Sequence, residues 1–316
     1  MALKDIRAKI GATNRTHKVT RAMEAVSAVK MRKTISTTLA GRPYARAALA
    51  ILARLSGSAD LSRHPLLQVR TSDVRTSKVA LVVITSDKGL AGALNSGVIK
   101  AAGLAVAPYP VETVTVYAYG RKGQEYFTRR GYEIAFYAEN KKDEVERSVM
   151  EDLSTELSER FSAGEFDEVA VAYSNFKSTF EQAATVRRLL PLSVEAVRAL
   201  VEDILPEKGA MSTSLETTNV RHRKSYIGTV PAYTIEPEGA DVLSTLLPRL
   251  VAVSLYHMLL EAKASEHSAR MVAMKSASDK SEEIAHDLTR LFNKIRQAAI
   301  TREVSEIVGG REALAA

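Results

Sequence analysis

The sequence predicts an α/β protein with long terminal helices: an antiparallel coiled coil of N- and C-terminal helices plus a Rossmann-like, doubly wound α/β domain. Three observations carry that prediction. From Leu3 to Leu55 there is one proline, Pro43, and glycine only at Gly11 and Gly41. From Asp241 to Val308 there is no glycine, and the one proline, Pro248, falls near the start. Between these segments, short β-branched runs alternate with amphipathic stretches at strand–helix–strand spacing.

The first helix spans about Leu3 to Leu55 of an N-terminal segment 1–57, closed by Ser56-Gly57-Ser58. Leu3, Ile6 and Ile10 open an apolar stripe that turns lean between Gly11 and Lys33, where Thr13, His17, Thr20, Ala22, Met23, Val26 and Val29 follow. Such a stripe implies a thin interface or close approach of a partner helix. Residues 58–77 read as a surface connection to a domain covering 78–236. Its first strand, Val79–Ile84 (VALVVI), is a continuous apolar run, the mark of a strand buried on both faces. A helix follows over 90–107, a strand over 111–119, a helix over 124–130 and a strand over 133–137. A helix over 143–163 and a strand over 166–173 complete the alternation. Residues 182–192 and 229–236 read as further extended segments at the edge, and 203–228 as an irregular insertion.

The last helix covers about 240–310. Pro248 either kinks it or marks its true start, and Gly309-Gly310 ends it. Ile284, Leu288, Leu291, Ile295 and Ala298 recur at steps of four and three, the spacing of a coiled-coil seam.

Composition narrows the function. The 316 residues contain no cysteine, which excludes disulfides, thiolate metal sites and thiol switching. No apolar run approaches the ~18 residues that span a bilayer, and the charged start MALKDIRAKI does not read as a signal peptide. The net charge is +7. Residues 1–57 hold twelve cations against Asp5 and Glu24, a net +10, so the remainder is about −3. A basic helix beside a mildly acidic remainder suggests an acidic partner surface.

Two glycine turns follow strands. Ser86-Asp87-Lys88-Gly89-Leu90-Ala91-Gly92 sits where phosphates often bind, which raises the alternative of a nucleotide-binding α/β protein. Its lysine, however, precedes the glycines, unlike a P-loop, and the three-glycine dinucleotide pattern is absent. Gly120-Arg121-Lys122-Gly123 offers two cations to an acidic partner or a phosphate. No histidine or carboxylate set has metal-ligand spacing, no serine lies in a nucleophile elbow, and no paired-carboxylate signature is present. Catalytic residues, cofactor and metal are all expected to be none. A nucleic-acid partner is not expected either, because the basic segment has a single aromatic, Tyr44, for base stacking.

THKVTRAMEAVSAVKMRK (Thr16–Lys33), ITSDKGLAGALNS (Ile84–Ser96), YGRKG (Tyr119–Gly123), YSNFKSTFEQ (Tyr173–Gln182), ASEHSARMVAMKSASDK and LFNKIRQAAITREVSEIVGG (Leu291–Gly310) together resemble the gamma subunit of F-type ATP synthase, in order and over nearly the whole chain. That resemblance implies a central-stalk rotor. Its terminal helices pair inside a ring of three alpha and three beta subunits, and its α/β domain sits beside the epsilon subunit on the c-subunit ring. It couples transmembrane proton flow to ATP chemistry on beta, as a peripheral protein on the cytoplasmic face of a bacterial membrane. By motif position, Met23, Arg296, Gln297 and Thr301 match family residues near the beta-subunit loops, while Arg121 and Lys122 match the base. Ala91 stands where many relatives have cysteine.

Overall fold

The computed structural model describes residues 3–40, 64–70, 73, 76–141, 147–192 and 239–315. The expected run of the first helix to Leu55, its stop at 56–58, the 203–228 insertion and the extended stretch 229–236 lie outside the described residues. The described helices are α1 (Leu3–Ala40), α2 (Leu94–Val106), α3 (Arg121–Thr128), α4 (Arg147–Ser162) and α5 (Gly239–Ala315). The strands are β1 (Val79–Ile84), β2 (Val114–Tyr119), β3 (Glu133–Ala138), β4 (Glu168–Phe176) and β5 (Gln182–Leu190). They fall into two compact units, Met1–Val29 with Arg270–Ala316, and Lys30–Ala269.

In the larger unit the strand order is β3-β2-β1-β4-β5. The first four strands are parallel and β5 closes the edge antiparallel to β4. β1 is central and buried on both faces. Its Ala80, Val82 and Ile84 join Tyr117, Tyr119, Val169 and Val171 under Leu153, Leu157 and Phe161 of α4 and Leu247, Val251, Leu255, Met258 and Leu259 of α5. Val79, Leu81 and Val83 face the other way, toward Val98, Ala102 and Val106 of α2 and Phe127 of α3. Alternating side chains of one strand thus feed two cores, which is why VALVVI carries no polar residue.

The smaller unit pairs α1 with α5. Along α1, Ile6, Ile10, Thr13, His17, Thr20, Glu24 and Ser27 form a row of half-buried or buried residues at unbroken four–three spacing. Along α5 a second such row is Met274, Ser278, Ser281, Ala285, Leu288, Phe292 and Ile295. His17 Nδ1 lies 3.0 Å from the Ser278 carbonyl and 3.2 Å from its hydroxyl, which sets the level at which the helices cross-pair. Two seams of this spacing make a coiled coil.

Two expectations are corrected. The α5 seam runs through Ala285 and Phe292, whereas Ile284, Leu291 and Ala298 are exposed; Leu288 and Ile295 belong to either reading. Pro248 lies in the third turn of α5, so of the two readings open for it the helix starts before the proline. Gly309-Gly310 does not end the helix, which continues to Ala315. Both glycines stand clear of any neighbour, and a solvated helix accommodates each at about 1 kcal/mol. Smaller shifts affect the second helix, which starts at Leu94 because Leu90 and Gly92 adopt positive φ, and the second strand, whose Val111–Thr113 is a 3-10 turn.

Candidate functional site

In an open doubly wound sheet, ligands bind at the carboxyl ends of the strands, where the order reverses. Here that place lies beyond β1 and β4. Beside it, Thr85, directly after β1, ties together the ends of β1, β2 and β3. Its N–H donates to the Tyr119 carbonyl (2.8 Å), and its hydroxyl accepts from the Gly123 N–H (2.9 Å). Its carbonyl accepts from Asn140 Nδ2 (2.7 Å). Asp87 is buried, and its Oδ1 accepts from the Arg121 N–H, the first of α3, at 2.6 Å. A carboxylate of the chain therefore already occupies the anion position at that helix end. In the other turn, Ser86 N–H donates to Asn95 Oδ1 (3.0 Å), and the Ser86 hydroxyl donates to the Lys88 carbonyl (2.7 Å). The two glycine turns are tied to each other through Asp87 and Thr85.

α5 closes the same place from above. Lys263 Nζ donates to the Asn140 carbonyl (3.3 Å), Ser265 Oγ to the Ser174 carbonyl (2.9 Å) and Ser268 Oγ to the Thr179 carbonyl (2.6 Å). Lys263 also faces Glu266 at 3.8 Å, with both side chains buried. No local sequence pattern marks Lys263, Ser265 or Ser268 for this position. The nearest signal is the pair Ser265 and Ser268, small hydroxyls one turn apart that let a helix approach a loop closely.

One turn earlier, buried His257 and Glu261 meet at 3.1 Å. Burial, then Glu261 beside it, pushes the Tyr173 phenol well above its usual range. Tyr117 is raised likewise, by burial first and then by Glu156, to which its hydroxyl donates at 3.1 Å. A raised phenol favours the neutral form in the fold. Its contribution to stability is therefore complete below the ordinary value of about 10 and is lost as pH rises past it. In an alkaline titration read by tyrosinate absorbance, Tyr117 and Tyr173 should ionise only with unfolding. Tyr173→Phe should shrink that late step, and an unchanged step would refute the assignment.

The smaller unit contains the remaining predicted residues. Met23 is half-buried on α1, while Arg296, Gln297 and Thr301 are exposed on α5. Thr301 Oγ1 donates to the Gln297 carbonyl (3.0 Å), which spends its hydrogen within the helix. With His17 level with Ser278, Met23 is level with about residue 272. At 1.5 Å per residue, Arg296 then lies about 36 Å farther along α5. The structure thus does not bring these four together; they occupy two levels of one helix pair. From Arg296 to Arg311 every residue except Ala299 is exposed, including Ile300, Val304, Ile307 and Val308 at helical spacing. On the basic face, Val19, Val26 and Val29 of α1 are also exposed. Arg121 and Lys122 open α3 in the larger unit and reach Glu125 at 3.6 and 3.8 Å. Such solvated pairs are worth about 0–1 kcal/mol and leave both cations available to a partner.

Among the described residues no helix is long and apolar enough to cross a membrane, and no cluster of three metal-ligating side chains forms.

A family model described as ATP synthase matches residues 2–314. The ATP synthase gamma chain of Pelotomaculum thermopropionicum is 36% identical over 313 residues, covering 99% of each chain. That of Roseiflexus sp. strain RS-1 is 38% identical over 317 residues, covering 99% of this chain and 98% of its own. Among solved structures, a chain of the Euglena gracilis mitochondrial ATP synthase (OSCP/F1/c-ring, rotational state 3) superposes with TM-score 0.60, covering 99% of this chain and 94% of its own at 17% identity. One from the Tetrahymena thermophila mitochondrial ATP synthase central stalk/c-ring gives 0.53, covering 82% of this chain and 99% of its own at 23% identity. The solved structures share the fold. The sequence matches extend that to descent over essentially the full length, and the chain belongs to the ATP synthase gamma chain family.

Proposed function

We propose that the chain is the central rotor shaft of a bacterial F-type ATP synthase, without a catalytic site of its own, at the cytoplasmic face of the cell membrane. The observation that carries this reading is the stretch Arg296–Arg311, a helix exposed nearly all round with an apolar row on it. A helix of that character needs a surrounding surface. A ring of three alpha and three beta subunits would supply one, with Arg296, Gln297 and Thr301 at the upper level and Met23 about seven turns below, facing loops of beta. In the larger unit, Arg121 and Lys122 would face the epsilon subunit and the c ring. The chain's part in ATP synthesis and hydrolysis is mechanical: an asymmetric helix pair presents a different face to each beta subunit as it turns. The carboxyl end of the sheet is consistent with the non-catalytic reading, because Asp87, Lys263 and Ser265 spend their polar groups there on the chain's own backbone.

Purified alone, the chain should neither bind nor hydrolyse ATP; mixed with alpha and beta subunits it should restore ATPase activity. Enzyme-like turnover by the chain alone would sink the proposal. Arg296→Ala should lower coupled ATP synthesis up to about fivefold, the worth of one exposed charged contact, and Gln297→Ala, which removes a neutral hydrogen-bonding group, by up to a similar factor, while the complex still assembles. Normal synthesis in both would remove them from the torque path.

A further inference from the structure

A helix on the outside of a doubly wound sheet ordinarily turns apolar residues inward and charges outward. α2 departs from this: Lys100 is its one charged residue between Leu94 and Val106. Val98, Ala102 and Val106 make the inward stripe and are buried. Ile99, Gly103, Leu104 and then Ala107 repeat at helical spacing on the outward side, and Leu104 is 66% exposed. α3 lies alongside, and between the two runs a groove of about 490 Å³. Buried Phe127 forms its floor, with Tyr126 and Tyr132 set edge-on to it at 5.1 and 5.3 Å. Lys100 and Arg130 line it, the Arg130 guanidinium lying 3.6 Å from the Tyr126 ring centre. No carboxylate is among its lining residues.

We propose that this groove docks an amphipathic, acidic helix of another subunit. An apolar trough between two helices receives side chains spaced i and i+3 or i+4. The cations meet carboxylates one turn away, and the planar guanidinium, already stacked on an aromatic ring, is oriented for a bidentate contact. A second copy of the chain is a poor occupant, since two-fold pairing sets the same patch against itself and brings Lys100 and Arg130 toward their own copies. A flat lipid surface does not fill a trough. The surface is distinct from the Arg121–Lys122 contact and from the shaft; it rests on the rotor reading only for the source of the partner.

The test places p-benzoylphenylalanine at position 104 of the full chain in the assembled, membrane-bound complex, followed by irradiation and peptide mapping. The expected product is a single cross-link to a helical segment of another subunit with an aspartate or glutamate within one turn. In a Lys100→Glu, Arg130→Glu background the yield should fall at least fivefold, and reversing the partner's acidic residue should restore it. Hydrogen exchange offers a second readout on the unmodified chain, since amides 99–107 should slow on assembly. An assembled, ATP-hydrolysing complex with no such cross-link and no slowing overturns the inference while leaving the rotor reading intact. So does a cross-link to a second copy, to lipid, or one indifferent to charge reversal. Failure of the unmodified chain to enter any complex counts against the rotor reading instead.

Discussion

Gly120→Ala should destabilise the larger unit by about 4 kcal/mol or more, a large share of the roughly 5–15 kcal/mol that holds an ordinary domain folded. Gly120 sits between β2 and α3 with φ of 108°, a conformation that costs an L residue roughly 1–3 kcal/mol. The space is also closed. An added Cβ would stand 2.0 Å from the Thr85 carbonyl oxygen and 2.6 Å from its carbon. That obstacle is backbone, held from the other side by Asn140 and by the Thr85 N–H bond to Tyr119. It cannot step aside without breaking the link between the two glycine turns. Gly131 separates the two contributions, because its φ is 80° but nothing lies within 4 Å of its absent Cβ. Gly131→Ala should cost only the conformational part, about 1–2 kcal/mol. Urea titrations of both variants would decide: equal midpoint shifts at unchanged slope would mean the Thr85 contact contributes nothing.

That hub also marks the limit of what the sequence discloses. The turn after VALVVI was legible as a structural βα turn, since its lysine sits on the wrong side of its glycines for a phosphate loop. Residues 35 and 55 positions away that complete it, Gly120 and Asn140, were not, because no local pattern announces which loops converge at one end of a sheet. The central strand was legible because burial on both faces leaves no polar residue to confuse its period. β3 was legible too, its one-sided alternation of exposed and half-buried residues being the edge-strand pattern. Segment ends were harder. A proline ten residues into a long helix and two glycines near its end are permissive signals, and the packing around α5 overrode the first.

The coiled coil shows a different failure. Ile284, Leu291 and Ala298 stand at the four–three spacing that is the usual sign of a seam, the first two with large apolar side chains. Shifting by one residue turns the side chain by 100°, and Leu288 and Ile295 fit both versions. What decides between them is the partner helix. Level with Thr13 and His17 of α1, α5 offers Ser281 and Ser278, and its Ala285 lies level with Ile10, so small and polar residues hold much of the seam. Apolar bulk was therefore a poor guide to the inside. Ile284 and Leu291, 42% and 41% exposed, join Val19, Val26 and Val29 as apolar surface. In a rotor, that surface belongs to what surrounds the pair.

A helix pair held by so lean a seam should depend on its few large buried side chains, and Ile6 is the clearest. It is fully buried, while the next buried positions of α1 within this unit are Thr20 and Ser27. The pairing level set by His17 and Ser278 places Ile6 opposite Leu288 and Phe292 on α5. Ile6→Ala removes three carbons from that contact, which in a well-packed site costs about 2–5 kcal/mol. Little nearby can compensate, since threonine and serine already satisfy their hydroxyls on their own helix: Thr20 Oγ1 donates to the Thr16 and His17 carbonyls, and Ser281 Oγ to Ala277. The loss should therefore appear locally. Amides of residues 7–20 should exchange about a hundredfold faster for each 2.7 kcal/mol lost, while β1 and β4 keep their protection. Val26→Ala is the matched control. Val26 is 52% exposed, so its truncation should leave exchange of the isolated chain almost untouched. In the assembled synthase the order should change: Val26→Ala lowers coupled turnover through a partner contact, and Ile6→Ala lowers it through a shaft that opens at one end. Unaltered exchange over residues 7–20 in Ile6→Ala would show that the polar middle of the pair, from Thr13 to Ser27, holds the two helices together by itself.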